Sequence, residues 1–270
     1  MKIVTWNVNS IITRLTRLEL FLERHQPDVV CLQESKTVDE QFPSLALEQL
    51  GYRALTYGQK AYNGVALLLR KASLAAEPER VQRGFPGDPI PEDARVISAD
   101  IHLEGEPAPT RVVCVYVVNG KSPSDPKYRE KLAWLEALRD WLRDVCSPDE
   151  PLIVTGDFNV APEDRDVYNP RFFKGRLLCS DEERAALQKL LDWGLVDLHR
   201  VYTDEEKIFS WWDYRYGGFR NNYGLRIDLF LGTKPVAARV EEVVVDKKER
   251  DPKSHESKPS DHAPVILTLA

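Results

Sequence analysis

Apolar residues gather in short runs along most of the chain, broken by polar turns. Lys2 to Val8 and Val29 to Leu32 are strand-length and nearly unbroken, so both predict buried strands. Between them Leu15, Leu18 and Leu22 share one face of a helix that the pattern starts at Thr13 and Pro27 ends. Asn63-Gly64 stands between Tyr57 and the run Val65 to Leu69 and predicts a two-residue hairpin turn. Arg95 to Leu103 and Arg111 to Val118 predict strands on either side of the Pro-containing turn Gly105 to Pro109.

The longest helix follows. Ser124 or Asp125 can cap it, Pro126 suits its first turn, and Leu132, Leu135, Leu138, Leu142 and Val145 recur at helical spacing. Leu152 to Thr155 returns as a buried strand. Ser180 with Glu183 forms a capping box for a helix through Leu187, Leu190 and Leu191 that Gly194 ends. Phe209 to Trp212, Arg226 to Leu231, Val240 to Val245 and Val265 to Leu269 predict the last strands. About ten strands with about three or four helices, several strands in hairpin order, exclude a parallel α/β barrel. They predict an α/β fold, a four-layered α/β sandwich of two packed mixed β-sheets flanked by helices. No repeat or Gly/Ser-rich linker divides the chain, so residues 1–270 are expected to form one domain.

Composition narrows the class. Hydrophobic residues at 43% and charged residues at 30% are ordinary for a soluble globular protein. The apolar runs are too short for a transmembrane helix, which predicts no membrane association. No basic segment with an apolar core stands at the N-terminus, so a cytoplasmic location is expected. The four cysteines are far apart and predict reduced, mostly buried thiols. A net charge of -6 argues against holding nucleic acid through a global field, yet leaves room for a local basic surface or a phosphate held through a divalent cation.

Polar residues recur where apolar strands end: Asn7, Glu34, Asp157 with Asn159, Asp228, and Asp261-His262. A lone Gly-Asp-x-Asn is a common turn, a lone glutamate a solvated strand end, and a lone histidine is more often structural than catalytic. Their succession, each beside an apolar strand, points to chemistry. Asp228, with apolar residues on both sides, most needs a buried partner.

Seven segments carry a resemblance: Trp6-Asn7-Val8-Asn9, Leu32-Gln33-Glu34-Ser35-Lys36, Tyr116-Val117-Val118-Asn119-Gly120, Gly156-Asp157-Phe158-Asn159, Phe209 to Arg215, Gly224-Leu225-Arg226-Ile227-Asp228 and Ser260-Asp261-His262-Ala263-Pro264. Together, from residue 2 to residue 267, the sequence resembles the exonuclease III family of AP endonucleases. The strand-end Asn, Glu, Asp and Asp-His are shared by the wider endonuclease/exonuclease/phosphatase superfamily; the last three segments are the more specific.

The resemblance implies a metal-dependent DNA repair nuclease that hydrolyses the phosphodiester 5′ to abasic sites, with 3′ phosphodiesterase and 3′ to 5′ exonuclease work beside it. Its expected partner is double-stranded DNA with abasic sites or blocked 3′ ends, and its expected state a monomer. Glu34 would ligate Mg²⁺ or Mn²⁺, with Asn7, Asp157, Asn159 and Asp261 completing or flanking the site. Asp157 would orient and deprotonate the attacking water, Asn159 would hold the water or a phosphate oxygen, Asp228 would fix the tautomer of His262, and the Tyr116 phenol would stabilise the leaving oxygen.

The stretch from Lys207 to Arg226 interleaves aromatic residues with cations, opposed between those two only by Asp213. By the resemblance Trp211 packs on the baseless sugar, and the interleaved cations Arg215, Arg220 and Arg226, with Asn222, are expected to contact DNA. Two positions depart from the pattern. Asn9 stands where some members carry aspartate, and Ile12 where many bacterial members carry arginine. Two alternatives remain at this level: a phosphoesterase of the same superfamily on a non-DNA substrate, which would show apolar membrane-binding loops or other C-terminal motifs, and a catalytically silent interaction module, which would have lost part of the set Glu34, Asp157, Asn159, Asp228 and His262.

Overall fold

The apolar runs lack a polar face because both faces of their strands are covered. In the computed structural model, which describes residues 1–270, β1 (Lys2–Asn7) turns Ile3 toward a second sheet and Val4 toward helices, and both are fully buried. β2 (Val29–Gln33) alternates in the same way, Val29 and Cys31 one way, Val30 and Leu32 the other. Helix α1 (Ile11–His25) joins them as a right-sized crossover for a parallel pair. It starts two residues before Thr13, because Ser10 caps it by accepting the Thr13 N–H, and it ends with Gln26 in the left-handed region before Pro27, as expected.

The chain continues through α2 (Ser44–Gln49), β3 (Tyr52–Tyr57), β4 (Val65–Arg70), β5 (Glu79–Arg83), β6 (Val96–Ile101) and β7 (Thr110–Tyr116). Helix α3 (Pro126–Val145), capped by Asp125, crosses to β8 (Leu152–Asp157), again parallel to its predecessor. Then come α4 (Pro170–Phe173), α5 (Asp181–Trp193), β9 (Val196–Asp197), α6 (Leu198–Tyr202), β10 (Trp211–Trp212), β11 (Gly224–Leu225), β12 (Asp228–Gly232), α7 (Lys234–Ala237), β13 (Val240–Val245) and β14 (Val265–Leu269). The capping box of Ser180 and Glu183 starts α5 and Gly194 ends it, as the sequence predicts.

Two mixed six-stranded sheets result, in the orders β13-β14-β1-β2-β4-β3 and β5-β6-β7-β8-β12-β9. Ile3, Cys31, Leu67, Cys114, Ile153 and Phe230 fill the space between them. Trp6, Phe21 and Leu22 pack α1 on the outer face of one sheet, and Trp134, Leu138, Leu187 and Leu190 pack α3 and α5 on the other. This is the expected four-layered sandwich. All four cysteines are free thiols and three are buried. No helix is long and apolar enough to cross a membrane.

Three local expectations are corrected. Asn63-Gly64 is not a two-residue turn: β3 and β4 are joined across residues 58–64, and the carbonyls of Asn63 and Gly64 accept the N–H groups of Lys36 and Ser35. The strand expected from Arg226 begins at Asp228, because the backbone of Arg226 and Ile227 bonds to Asp166 and Phe158 instead of to a strand. Only Trp211 and Trp212 of the segment from Phe209 are strand. β5 and β9, both edge strands, have no run of their own apolar enough to announce them.

Gly156 makes the join of β7 and β8 sensitive. Its φ is +147°, and a Cβ there would lie 1.9 Å from the Val115 carbonyl oxygen. Gly156→Ala is expected to lose at least about 1–3 kcal/mol through overpacking, read as a lower urea midpoint at unchanged slope. A wild-type midpoint would disprove the conflict.

Candidate active site at the seam of the two sheets

Parallel pairing of β1 with β2 and of β7 with β8 brings four C-terminal strand ends to one edge of the sandwich, and the antiparallel β12 and β14 begin there. Asn7 ends β1, Glu34 follows β2, Tyr116 ends β7 and Asp157 ends β8. Asp228 opens β12 directly opposite Asp157, and Asp261-His262 precede β14.

The side chains meet across the seam. Asn7 Nδ2 donates to Glu34 Oε1 at 2.7 Å and to Asp157 Oδ2 at 2.9 Å. The Asn159 N–H donates to Asp157 Oδ1 at 2.9 Å. His262 Nδ1 lies 2.9 Å from Asp228 Oδ2, and its Nε2 lies 3.7 Å from Asp157 Oδ2. Asp228 accepts a further bond from Ser210 Oγ at 2.6 Å. An ionised carboxylate can only accept, so Nδ1 of His262 carries a proton.

Burial opposes a charge on His262, but the Asp228 and Asp157 carboxylates outweigh it and push the imidazole up to about 10. Burial pushes Asp157 up to about 7; His262 pulls it down, while Asp228 and Glu34 add to the rise. Burial and then the Glu34 and Asp157 carboxylates hold the Tyr116 phenol well above its ordinary value, so it keeps its proton. Burial opposes ionisation of Asp261, but His262 and donors from Asn9 and Trp211 hold it below the usual carboxylate range.

Ligand atoms of Glu34, Asp157 and His262 lie within 4.8 Å of one another. The two carboxylates fit Mg²⁺ or Mn²⁺, which take hard oxygen donors and keep several waters. His262, protonated on Nδ1 and turned toward Asp157 through Nε2, suits donation better than ligation.

The other residues expected from the sequence divide. Asn7 acts on both carboxylates as a donor and its own Oδ1 accepts the Asn9 N–H, so it orients the pair. Asn159 is held by Asn119, which donates to its Oδ1 at 2.9 Å, and by the Val117 carbonyl. Asp261 lies outside the carboxylate cluster: Asn9 and Trp211 Nε1 occupy its two oxygens at 2.9 and 3.0 Å. Asn9 also accepts from Lys36 at 2.6 Å, so it forms a neutral link between Lys36 and Asp261. Trp211 walls the site beside His262, their ring centres 6.5 Å apart. Arg220 is exposed and unpaired, whereas Arg215 is gripped by both oxygens of Asp213. Asn222 is exposed, and its Oδ1 accepts from Trp212 Nε1.

Arg226 is a correction. It is 1% exposed, bonded to Asp166 at 2.6 Å and to Asp197 at 2.7 Å, and so presents no free cation at the surface, as the expected DNA contact requires. Three residues of the site take no role from the sequence reading, although Asn119 and Ser210 lie inside segments that carry the resemblance. Ser210 holds Asp228, Asn119 holds Asn159, and the fully buried Lys131 donates to the Asn159 carbonyl at 2.6 Å and the Asn119 carbonyl at 3.3 Å while paired with Glu183. Lys131 did leave a signal: it stands in the apolar stripe of α3 with Tyr128, Leu135 and Leu138, where a cation needs a buried partner.

A carboxylate pair beside an aspartate-bound imidazole, at the open edge of a two-sheet sandwich, defines a phosphoester hydrolase. A family model described as Endonuclease/Exonuclease/phosphatase family matches residues 4–262. Exodeoxyribonuclease III of Haemophilus influenzae is 38% identical over 274 residues, covering 98% of each chain. The 3′-5′ exonuclease from Neisseria meningitidis superposes with a TM-score of 0.91 at 39% identity, over 100% of this chain and 99% of that one. An AP endonuclease from Archaeoglobus fulgidus gives 0.90 at 34% identity, with the same coverage. The chain belongs to the endonuclease/exonuclease/phosphatase family.

Two outcomes follow from this geometry. Arg226→Ala leaves Asp166 and Asp197 buried with one partner fewer, so it should lose about 3–5 kcal/mol of stability, read by urea unfolding; unchanged stability would return the arginine to the surface. Burial pushes the Asp157 carboxyl up to about 7, so a proton would compete with any cation it holds near neutral pH. The Mn²⁺ concentration for half-occupancy should fall between about pH 6 and pH 8, by at most about tenfold per unit below the carboxyl's pKa and little above it. Tryptophan fluorescence titration can follow this, and pH-independent binding would contradict the competition.

Proposed function

We propose that this enzyme is a metal-dependent DNA repair nuclease that hydrolyses the phosphodiester 5′ to abasic sites and also trims blocked 3′ ends. The observation that carries the reading is the row Asp157, His262, Asp228 beside Glu34, beneath a wall that includes Trp211. The names of the relatives favour DNA over other phosphoesters. The interaction-module alternative is disfavoured because Glu34, Asp157, Asn159, Asp228 and His262 are all present and in mutual reach. The chain is read as one domain, acting as a monomer in the cytoplasm.

Asp157 takes the proton of the attacking water, and the Asn159 N–H and Asn7 amide hold its carboxylate in line. His262, positioned by Asp228, donates from Nε2 to a non-bridging phosphate oxygen, where negative charge grows. The protonated Tyr116 phenol donates to the leaving oxygen. Glu34, with Asp157 beside it, would hold Mg²⁺ or Mn²⁺, which would supply Lewis-acid neutralisation of the phosphate charge.

A duplex with one tetrahydrofuran abasic analogue tests the reading. The expected result is a single nick at the lesion with Mg²⁺ and none with excess EDTA, and release of a 3′-phosphate from a nicked duplex. Asp157→Asn should slow incision on the order of a hundredfold or more while duplex binding persists. No metal-dependent nick in the wild type, or near-normal incision by Asp157→Asn, would overturn it.

A further inference from the structure

The connection from β13 to β14, residues 246–264, contains one turn of 3₁₀ helix, Lys247–Glu249, and no other helix or strand. Connections longer than about 12–15 residues without structure of their own are uncommon, and functional ones are prominent among them. This one is tied down. Arg17, 1% exposed, donates to the carbonyls of Glu249 at 3.0 Å, His255 at 3.2 Å and Ser257 at 2.8 Å, and to Ser254 Oγ at 3.2 Å. Arg14 reaches the Pro259 carbonyl at 3.1 Å and Tyr214 Oη at 2.8 Å. Arg250 donates to the Trp212 and Asp261 carbonyls at 3.0 and 3.2 Å, and its guanidinium lies 5.0 Å from the Tyr214 ring centre. Three buried cations therefore hold the loop in one shape against the wall of the active site.

Between this loop and residues 213–220 lies a cleft of about 530 Å³. Arg220 stands on one wall, Lys253 and Lys258 on the other, all exposed and none paired with a carboxylate. Lys258 Nζ sits 4.8 Å from the Tyr214 ring centre. The carboxylates of the cleft are engaged, Asp213 by Arg215 and Asp251 by the Lys253 N–H, which leaves Glu256 as the one exposed loop carboxylate without a partner. In a chain of net charge -6, three unpaired cations facing one rigid cleft form a local anion site.

We propose that this cleft is a second DNA contact, which grips the phosphate backbone of the duplex to one side of the reacting phosphodiester. The inference rests on the nuclease reading. The occupant is a polyanionic backbone because the cations line opposite walls of an open cleft, and because Arg250 joins that cleft to Trp212 and Asp261 at the active-site wall.

The test is a salt titration of duplex binding by Lys253→Ala/Lys258→Ala, with Lys253→Arg/Lys258→Arg as the charge-conserving control. Thermal unfolding of both variants confirms that they fold. The alanine pair should lower the slope of log K against log salt by about two units, one for each phosphate that a lysine no longer neutralises, and weaken binding severalfold or more near physiological salt. The arginine pair should keep the slope. On duplexes trimmed on one side or the other of the lesion, the deficit should vanish for one trimming only. An unchanged slope, or a deficit indifferent to which flank is trimmed, overturns the second contact. Either result leaves the nuclease reading standing so long as the wild type still nicks the abasic duplex.

Discussion

Asp157, His262 and Asp228 lie side by side in the interior, and a row of carboxylate, imidazolium and carboxylate persists there only if its other lone pairs and protons find partners. The partners come from elements distant in the chain: Asn7 from β1, the Asn159 N–H from the turn after β8, Ser210 from the segment before β10. Desolvation of each ion costs several kcal/mol at least, so a slip of β12 against β8 would leave two charges stranded. The register that places Asp228 opposite Asp157 and the chemistry of the site are therefore the same constraint.

Much of this could be read from residue types. A strand buried on both faces is mostly apolar, so Asn7, Glu34, Asp157 and Asp261-His262 announce themselves by standing at or beside the ends of apolar runs. Capping chemistry is equally local, which is why Asp125 with Pro126 and Ser180 with Glu183 behave as their types require. Asn63-Gly64 misled because its carbonyls serve Ser35 and Lys36 of another segment. Arg226 misled for the same reason. Counted along the chain it extends a basic stretch, but Asp166 and Asp197 neutralise it from outside that stretch.

Buried cations do a common task here. Lys131 draws the Asn119 and Asn159 turns together, Arg226 fixes the turn before β12, and Arg14, Arg17 and Arg250 fasten the connection before Asp261. Most of these grips are on carbonyls, which accept strong charge-assisted bonds without demanding any particular side chain. That leaves the loop side chains free for substrate. It also makes the cations invisible to a motif search, since their targets are mainly backbone atoms.

Asp157 and Asp261, both under the electrostatic influence of His262, have been driven apart in acidity, and the cause separates their roles. Asp261 receives one donor on each oxygen, from Asn9 and Trp211, and stays ionised well into acid. Asp157 is fully buried between Asp228 and Glu34 and rises to about 7. A group that must take a proton near neutral pH and pass it on needs the second environment, and a group that must hold a fixed negative charge needs the first. Asp261 thus suits the upkeep of the His262 charge and the orientation of Trp211, and the proposed base is Asp157 on electrostatic grounds that do not depend on the order of residues in any motif.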